Sequence, residues 1–514
     1  MRFTNMVLYS ACALLVSRSS SFALQSRPIR TSSLLQASKL SFGTPAADND
    51  PDATVLVGKK DALRKMTLEI DLIDESIVDA MLESGSSSST FLPSTGKKLT
   101  LCTLPESVSR NNHPLSIHKI TSMVKSAVAK KGTTFVKVGG VSHPAPIAAA
   151  VAKAFPLYNR KTDKEEGDVS IFLSCLDEDL QEIESSVNSA EAVAEGVRLA
   201  CRLVDMTPEE LTTSAFAEEC QQVADRFTSV TMTEIVGDEL KEKGYGALYG
   251  VGKGAECPPR LVILEYDPPN NDSKETVALV GKGIVFDTGG LSLKSKDGMC
   301  LMKHDMGGAA GMLGGFLAAV NLKVDRKLKL ILCLAENAIG PLAFRNDDIL
   351  TMYSGKTVEI NNCDAEGRLV LGDGVAHATK HFECDLVIDM ATLTGAQLIT
   401  TGKTHAGILA NSAELEQRAT KAGMISGDLV YPMLYAPELL KDEFESKVAD
   451  MKNSVKDRMN AQASCAGHFI ESHLAEDYKG GWLHVDMAGP GSKDQRGTGY
   501  GVALILSLLE APGF

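Results

Sequence analysis

Residues 277–294 read VALVGKGIVFDTGGLSLK. The first four residues, 277–280, are apolar, which is typical of a strand buried on both faces of a sheet. Lys282, Asp287 and Lys294 follow among four glycines, which let the backbone approach a ligand closely. Because neither a GxxxxGKS/T nor a GxGxxG spacing occurs here, the stretch does not predict a phosphate-binding loop.

Three further apolar runs extend this prediction to a whole sheet. Residues 261–264, 328–334 and 386–388 are short and apolar, and helical patterns separate them. They predict an α/β fold with a sheet that helices cover on both faces. Because such sheets bind ligands at the carboxyl ends of their strands, we expect chemistry at the residues that end these runs: Lys282, Asp287, Glu336 and Asp389.

The length of 514 residues predicts two domains, since one hydrophobic core seldom grows beyond about 300 residues. Residues 189–206 carry apolar side chains at helical spacing and end at a Thr-Pro pair, so we interpret them as a helix that connects the domains. Residues 145–155 predict another helix, and the serine-rich residues 84–90 predict a surface loop. The predicted divisions are a targeting presequence at 1–45, an N-terminal α/β domain at 50–195 and a larger C-terminal α/β domain at 196–514.

The charge balance bears on partners. There are 66 acidic and 52 basic residues, which gives a net charge of −14 and argues against nucleic acid or an anionic membrane as a partner. No segment after the leader is long and apolar enough to predict a membrane span. Eleven cysteines without a CxxC pair predict reduced thiols rather than a disulfide framework.

The first 45 residues have a targeting composition, because Asp48 is the first acidic residue while arginines and serines are frequent. Residues 6–16 form an apolar run of signal-peptide length, and a Ser/Arg-rich tract follows. This order resembles the bipartite presequences of plastids with extra membranes, so we expect plastid import. The alternatives are the secretory pathway, a mitochondrion and the cytoplasm.

A second stretch concentrates carboxylates: residues 361–374 read NNCDAEGRLVLGDG. Singly, each acid has an ordinary explanation, with Asp287 in a turn, Asp305 and Asp364 as helix caps and Glu366 in a first helical turn. Together these four carboxylates, placed near strand ends, require countercharge. Two divalent cations that share carboxylates would supply it, which is the hypothesis we carry forward.

Histidines offer no competing metal site in the sequence. His304, His377, His381 and His468 lack a ligand spacing such as HExxH, so we expect them to pack in the fold or to support metal ligands rather than to bind zinc themselves. Trp482 begins an apolar segment that predicts a late core strand.

Four motifs, NNCDAEGRL, VGKGIVFDTGGLSLK, MKHDMGGAAG and LTGA, together resemble the signatures of the leucyl aminopeptidase family over residues 200–514. The resemblance implies a smaller N-terminal α/β domain and a C-terminal catalytic domain with a central mixed sheet covered by helices. It also implies a homohexamer with two divalent metal ions per subunit, Zn²⁺ or Mn²⁺ and otherwise Mg²⁺. The implied activity is hydrolysis of leucine and other apolar residues from the free amino termini of peptides, by a water that the metals activate.

The resemblance also implies roles for individual residues. Asp287 and Glu366 would bridge the two metals, Asp364 would complete one site, and Lys282 and Asp305 would complete the other. Lys282 would then be a neutral amine, because adjacent dications and desolvation both lower the pKa of a lysine; the alternative is a Lys282–Asp287 salt bridge. Lys294 would stabilise the oxyanion of the scissile carbonyl, and Arg368 would hold a bicarbonate that relays a proton.

The family's substrate pocket would correspond to Met302, Thr392, Gly395 and Ala466. One departure from the family lies beside the acids, where Cys363 replaces the usual Thr. Close to a metal this thiol could become a thiolate, and the alternative is a small buried residue.

Two other functions stay open from sequence. Some relatives bind DNA or act as chaperones through their assembled surface, although the negative charge of this chain counts against DNA. A dimetal phosphoesterase would suit the same residues, because Lys282, Lys294 and Arg368 could also hold a phosphate.

Overall fold

The computed structural model describes residues 38–43, 50–68, 73–129, 131–162, 169–177, 187–269 and 275–514. Most of the predicted presequence at 1–45 therefore lies outside the described residues, and its targeting role stays a prediction. Among the described residues, no helix combines the length and the apolarity that crossing a bilayer requires.

The helices of the described residues are α1 Lys60–Leu68, α2 Glu75–Glu83, α3 Ile117–Ala127, α4 Pro144–Ala154, α5 Val187–Asp205, α6 Thr213–Ala224, α7 Asp238–Glu242, α8 Gly246–Gly252, α9 Lys296–Met299, α10 Gly307–Asn321, α11 Gly367–His381, α12 Gly395–Thr400, α13 Ala413–Ser426, α14 Pro437–Leu440, α15 Gln462–Glu471 and α16 Val502–Leu508, with 3₁₀ turns at Met302–His304 and Lys441–Phe444. The strands are β1 Lys39–Phe42, β2 Ala53–Gly58, β3 Ser87–Phe91, β4 Lys98–Thr103, β5 Gly132–Val138, β6 Val169–Cys175, β7 Val230–Val236, β8 Arg260–Tyr266, β9 Thr276–Asp287, β10 Lys327–Asn337, β11 Ile349–Thr351, β12 Thr357–Glu359, β13 Leu386–Ala391, β14 Ala406–Ala410, β15 Val430–Pro432, β16 Met451–Lys452, β17 Gly481–Asp486, β18 Ser492–Lys493 and β19 Arg496–Gly497.

The N-terminal region folds around a sheet of order β1-β6-β5-β2-β4-β3, parallel except for the edge strand β3. Successive side chains of β2 enter different cores. Val55 and Val57 pack with α3 and α4, whereas Leu56 packs with α1 and α2. This two-sided burial confirms the predicted smaller α/β domain and explains why β2 carries three consecutive apolar residues, 55–57.

The larger sheet has the order β15-β14-β17-β13-β9-β10-β8-β7. Its centre, β17-β13-β9-β10, is parallel, and β14, β8 and β7 are antiparallel to their inner neighbours, so the predicted mixed sheet is confirmed. Along β9, Val277 and Leu279 enter one core while Ala278 and Val280 enter the other. Helices thus cover β9 on both faces, and its charged residues lie toward its carboxyl end.

The helix predicted at 189–206 is α5, and it packs closely against α10. Gly196 and Gly314 make this contact possible, because a Cβ on either would lie 2.4 or 2.5 Å from the other's carbonyl oxygen. Bulkier residues would push the two helices apart. The domain boundary at this helix stays a prediction.

The structure differs from the sequence prediction at residues 84–90. Residues 87–90 belong to β3, which pairs with β4 as an antiparallel edge strand, so the loop prediction was wrong for this part. The misleading signal was the serine run, since serines on an edge strand alternate between half-exposed and exposed positions. Trp482 is fully buried in β17, as predicted for a late core strand.

Candidate active site

The central parallel strands place side chains at the carboxyl ends of the strands of the larger sheet, and we call this end of the sheet its edge. Lys282 lies within β9 and Asp287 is its last residue, so the strand runs further than the predicted apolar run. β10 and β13 flank β9 in parallel and end at the same edge, where Asn337 pairs in register with Asp287. Lys282 and Asp287 are both 2% exposed. The end of β9 therefore carries two buried, chargeable groups.

Two loops bring the other acids to this edge. Asp305 follows the 3₁₀ turn at Met302–His304 and precedes α10. The cap position of α10 is occupied by Met306, so the interpretation of Asp305 as a helix cap was wrong. Glu366 occupies the cap position of α11 but makes no side-chain capping bond, which leaves its carboxylate available for other partners.

The predicted metal-ligand residues converge. Asp287, Asp364 and Glu366 each place a carboxylate oxygen within 4.8 Å of the others. Lys282 Nζ lies 2.8 Å from Asp305 Oδ1 and 3.0 Å from Glu366 Oε1. The pairing of Lys282 with Asp287 that we considered as an alternative is not the one observed.

Lys294 approaches the same cluster from the loop after β9. Its Nζ lies 2.8 Å from Asp287 Oδ2 and also forms an ion pair with Asp364. Two lysines thus offset part of the charge of the four carboxylates, and the five predicted ligand residues and Lys294 form one group.

Electrostatics follow from burial and from the crowding of like charge. Burial lowers the pKa of Lys282, yet the carboxylates of Asp305 and Glu366 outweigh it and hold this pKa above its ordinary value. Burial also lowers the pKa of Lys294, but the carboxylates of Asp287, Asp364 and Glu366 together outweigh burial and raise this pKa above its ordinary value. Burial raises the pKa values of the Asp305 and Glu366 carboxyls, and repulsion between carboxylates raises both further.

The donor set fits divalent cations. Asp305 Oδ2 and Glu366 Oε2 are buried without a hydrogen-bond partner among the described residues, although each belongs to a carboxylate with one oxygen already paired to Lys282. Buried carboxylate oxygens without donors are costly unless a cation or water completes them. Carboxylate oxygens with one nitrogen donor suit Zn²⁺, Mn²⁺ or Mg²⁺.

Arg368 lies one residue into α11 and is 4% exposed. Burial lowers the pKa of its guanidinium to about 10, so the group stays charged at neutral pH. Its Nε and Nη1 have no hydrogen-bond partner among the residues described. A buried cation with free donors is suited to a small planar anion, and bicarbonate meets that description.

Comparison with known proteins identifies the family of this chain. The model of the cytosol aminopeptidase family catalytic domain matches residues 198–506, and that of the M17 aminopeptidase N-terminal domain 2 matches residues 52–164. The chain belongs to the cytosol aminopeptidase family. A human protein named probable aminopeptidase NPEPL1 is 44% identical over 485 residues, which cover 91% of this chain and 92% of the relative.

Other members of the cytosol aminopeptidase family are similar over nearly the whole chain. Leucine aminopeptidase 1 of Caenorhabditis elegans is 39% identical over 481 residues, covering 91% of this chain and 96% of the relative. The structure of leucyl aminopeptidase from Trypanosoma brucei in complex with actinonin has a TM-score of 0.85 and 39% identity, covering 93% of this chain and 96% of that one. This chain is therefore an aminopeptidase, a hydrolase of peptide bonds, and the phosphoesterase alternative has no support among these relatives.

In this cytosol aminopeptidase, sequence reasoning missed Asn337 and pointed instead to its neighbour. Asn337 Nδ2 donates to Asp287 Oδ1 at 2.9 Å and to the Cys363 carbonyl at 3.0 Å, which links β9 to the loop that carries Asp364. A register shift after Ala335 turns Asn337 toward the site. Among the described residues, Glu336 makes no contact with Asp287 or Cys363 like those of Asn337, and burial together with the nearby Glu256 raises the pKa of Glu336.

Thr392, predicted to line the pocket, contacts the cluster directly. Its carbonyl accepts a bond of 3.1 Å from Lys282 Nζ, and its hydroxyl donates to Asp305 Oδ1 at 2.9 Å. Asp389, by contrast, lies inside β13, where its carboxylate bonds to Trp482 Nε1 and His484 Nδ1. The interpretation of Asp389 as a site residue was therefore wrong, because β13 continues past it to Ala391.

The other pocket candidates lie on elements near this edge. Met302 begins the 3₁₀ turn before Asp305, and Gly395 and Ala466 lie in α12 and α15, which pack together. Gly395 is exposed, with space around its Cα, whereas Ala466 is fully buried. Their role in substrate binding stays a prediction.

Cys363 is a small buried residue, and His377 packs in the fold rather than binding a metal. Cys363 is fully buried, its thiol contacts the Phe344 carbonyl and Asn346 Oδ1, and burial raises the pKa of this thiol, which opposes a thiolate. His377 packs among aromatic rings and bonds to Tyr245. The acidic group that could hold a metal contains no histidine among the described residues.

The close approach of the Lys282 side chain explains why residue 367, between Glu366 and Arg368, is a glycine. A Cβ at this position would lie 2.6 Å from both Cε and Nζ of Lys282, closer than any real contact. The Lys282 side chain cannot yield easily, because it is buried and its Nζ is held by Asp305, Glu366 and the Thr392 carbonyl. A methyl group here would displace Lys282 from the cluster.

We expect Gly367→Ala to lower kcat for leucine p-nitroanilide by about 100-fold, the scale of a catalytic group misplaced by about 1 Å. The melting temperature and circular dichroism, measured on the same preparation, should stay close to those of the parent. Parental activity in a folded Gly367→Ala protein would contradict the crowding of Lys282.

Proposed function

We propose that this chain is a two-metal aminopeptidase that removes leucine and other apolar residues from the unblocked amino termini of peptides. The observation that carries the proposal is the convergence of three carboxylates, Asp287, Asp364 and Glu366, within 4.8 Å. A group this acidic, buried at the ends of parallel strands, calls for bound cations. The relatives named above support the substrate class.

Five residues would hold the cations. Asp287, Asp364 and Glu366 lie within 4.8 Å of one another, and the family resemblance supports Asp287 and Glu366 as ligands that both ions would share. Lys282 and Asp305 lie together, 2.8 Å apart, and would complete the second site. The carboxylates of Asp305 and Glu366 raise the pKa of Lys282. In a cation-loaded site the positive charge of the ions would offset this effect, so Lys282 would serve as a neutral amine.

When bound, two cations would supply Lewis acidity for a water and for the scissile carbonyl, and a bicarbonate would supply a proton acceptor. Arg368 would hold this bicarbonate through its unpartnered Nε and Nη1. Lys294 Nζ lies 2.8 Å from Asp287 Oδ2 at this site, so its ammonium would donate a hydrogen bond to the oxygen that becomes negative as the carbonyl is attacked. Asn337 and Thr392 hold Asp287 and Asp305 in place.

We expect chelator treatment of the purified protein to abolish hydrolysis of leucine p-nitroanilide, and Mn²⁺ or Zn²⁺ to restore it. N-acetylated leucine p-nitroanilide should resist cleavage throughout. Glu366→Gln should stay inactive after metal is added, because it loses a ligand charge, while the control Asp297→Asn, at an exposed position in α9, should recover fully. Activity that survives exhaustive chelation would refute the two-metal proposal.

Replacing Lys294 with methionine removes the ammonium and keeps the side-chain length. We expect Lys294→Met to lower kcat by 10²- to 10³-fold, or about 2.7–4 kcal/mol, with a much smaller change in KM, as for a lost oxyanion donor. The matched control is Lys296→Met, two residues away at an exposed position. If the loss fell on KM alone, Lys294 would bind substrate rather than the transition state.

The family resemblance also supports assembly as a homohexamer, and the composition of residues 1–45 supports import into a plastid. A fluorescent reporter fused behind residues 1–45 should enter plastids, while the same reporter behind residues 46–90 should stay in the cytosol. A reporter that reached mitochondria or the medium instead would assign the leader to one of the alternative routes.

A further inference from the structure

The loop between β12 and α11 carries Asp364 and leads into Glu366, yet it is neither helix nor strand. Its backbone donors and acceptors therefore need partners other than a regular ladder. Residues 361–365 find several of them on side chains from distant parts of the chain. The position of two metal-ligand carboxylates thus depends on these side chains.

Asn453 provides the largest number of these side-chain hydrogen bonds to the loop backbone. Its side chain makes four hydrogen bonds to the backbone of this loop: Oδ1 accepts from Asn361 N at 3.0 Å and Asn362 N at 3.3 Å, and Nδ2 donates to Asn362 O at 2.7 Å and Ala365 O at 3.2 Å. A carboxamide has two acceptor sites and two donor hydrogens, so its capacity is filled. Asn453 is also fully buried, which makes each of these bonds expensive to lose.

The backbone around Asn453 is itself fixed. Asn453 N donates to the Glu359 carbonyl at 3.1 Å, where β16 runs parallel to β12. Asn361 returns the contact, since its side chain accepts from Ser454 N at 2.9 Å and donates to Ser454 O at 3.1 Å. The amide of Asn453 is therefore held at the loop by its own main chain.

The loop is held from its other side as well. Asn337 donates to the Cys363 carbonyl, and Ser292 Oγ accepts from Cys363 N at 3.0 Å. Asn453 differs from Asn337 in one respect that matters for a test: none of its hydrogen bonds goes to a carboxylate. Replacing Asn453 therefore alters no ligand atom and no charge.

We propose that Asn453 is a positioning residue for the metal centre. It grips the backbone on both sides of Asp364, at Asn362 and Ala365, and so holds the carboxylates of Asp364 and Glu366 where they meet Asp287. This inference rests on the proposed two-metal function. Side chains that orient metal ligands without touching the metal typically contribute a factor of 10–100 in metal affinity or activity.

The test compares chelator-stripped full-length parent with Asn453→Ala by titration with Mn²⁺ in a calorimeter. We expect the variant to bind Mn²⁺ at least tenfold more weakly, about 1.4 kcal/mol. At saturating Mn²⁺, kcat should remain lower while KM changes little. Hydrogen exchange of the metal-free protein gives a second readout, because amides at 361–366 should exchange faster in Asn453→Ala.

Asp450→Ala is the matched control. Asp450 is exposed, and its carboxylate accepts from Thr357 N and Oγ1, which joins the same two strands away from the carboxylate cluster. A merely structural effect of this segment would lower Mn²⁺ affinity in both variants, whereas positioning by Asn453 affects Asn453→Ala alone. If Asn453→Ala does not fold, Asn453→Ser, which keeps one donor and one acceptor, takes its place.

Three results would overturn the inference: unchanged Mn²⁺ affinity in folded Asn453→Ala, equal weakening in Asp450→Ala, or unchanged exchange at 361–366. Failure of the proposed function would look different. In that case the parent itself would bind no Mn²⁺ after stripping, while exchange at 361–366 would still report whether Asn453 holds the loop.

Discussion

The site depends on one electrostatic constraint: four carboxylates gather at one sheet edge, and most of their surface is removed from water. Asp287, Asp305 and Glu366 are less than a tenth exposed. Isolated charges in such surroundings would take up protons or force the chain apart. Lys282 and Lys294 offset part of this negative charge, since each forms ion pairs with two of the four acids.

The α/β architecture makes this concentration of charge tolerable. The strands β9, β10 and β13 run parallel, so their carboxyl ends meet at one edge and need no long loops to bring residues together. α10 and α11 both begin at this edge, α10 two residues after Asp305 and α11 directly after Glu366. The positive ends of these helix dipoles favour negative charge there. Close packing of glycines against neighbouring backbone, as at Gly196 and Gly314, lets the helices approach.

Sequence reasoning reached the parts of the site that lie in dense local motifs, such as Asp364, Glu366 and Arg368, and the strand that carries Lys282 and Asp287. It failed where a tertiary detail decides. A register shift selects Asn337 rather than Glu336, and two partners on β17 occupy Asp389. The pairing of Lys282 with Asp305 and Glu366 also depends on how separate loops meet. No local pattern joins Asn453 to Ala365, since 88 residues separate them.

The chemistry of Asn453 explains why an amide, and not an acid, suits this position. The loop presents two N–H donors and two carbonyl acceptors to one buried side chain. An ionised aspartate would satisfy the donors but set an oxygen against the carbonyls of Asn362 and Ala365, and both would lose their partner. It would also add negative charge near an acidic cluster. A neutral amide that donates and accepts equally can hold the loop that carries Asp364 without adding to the negative charge of the cluster.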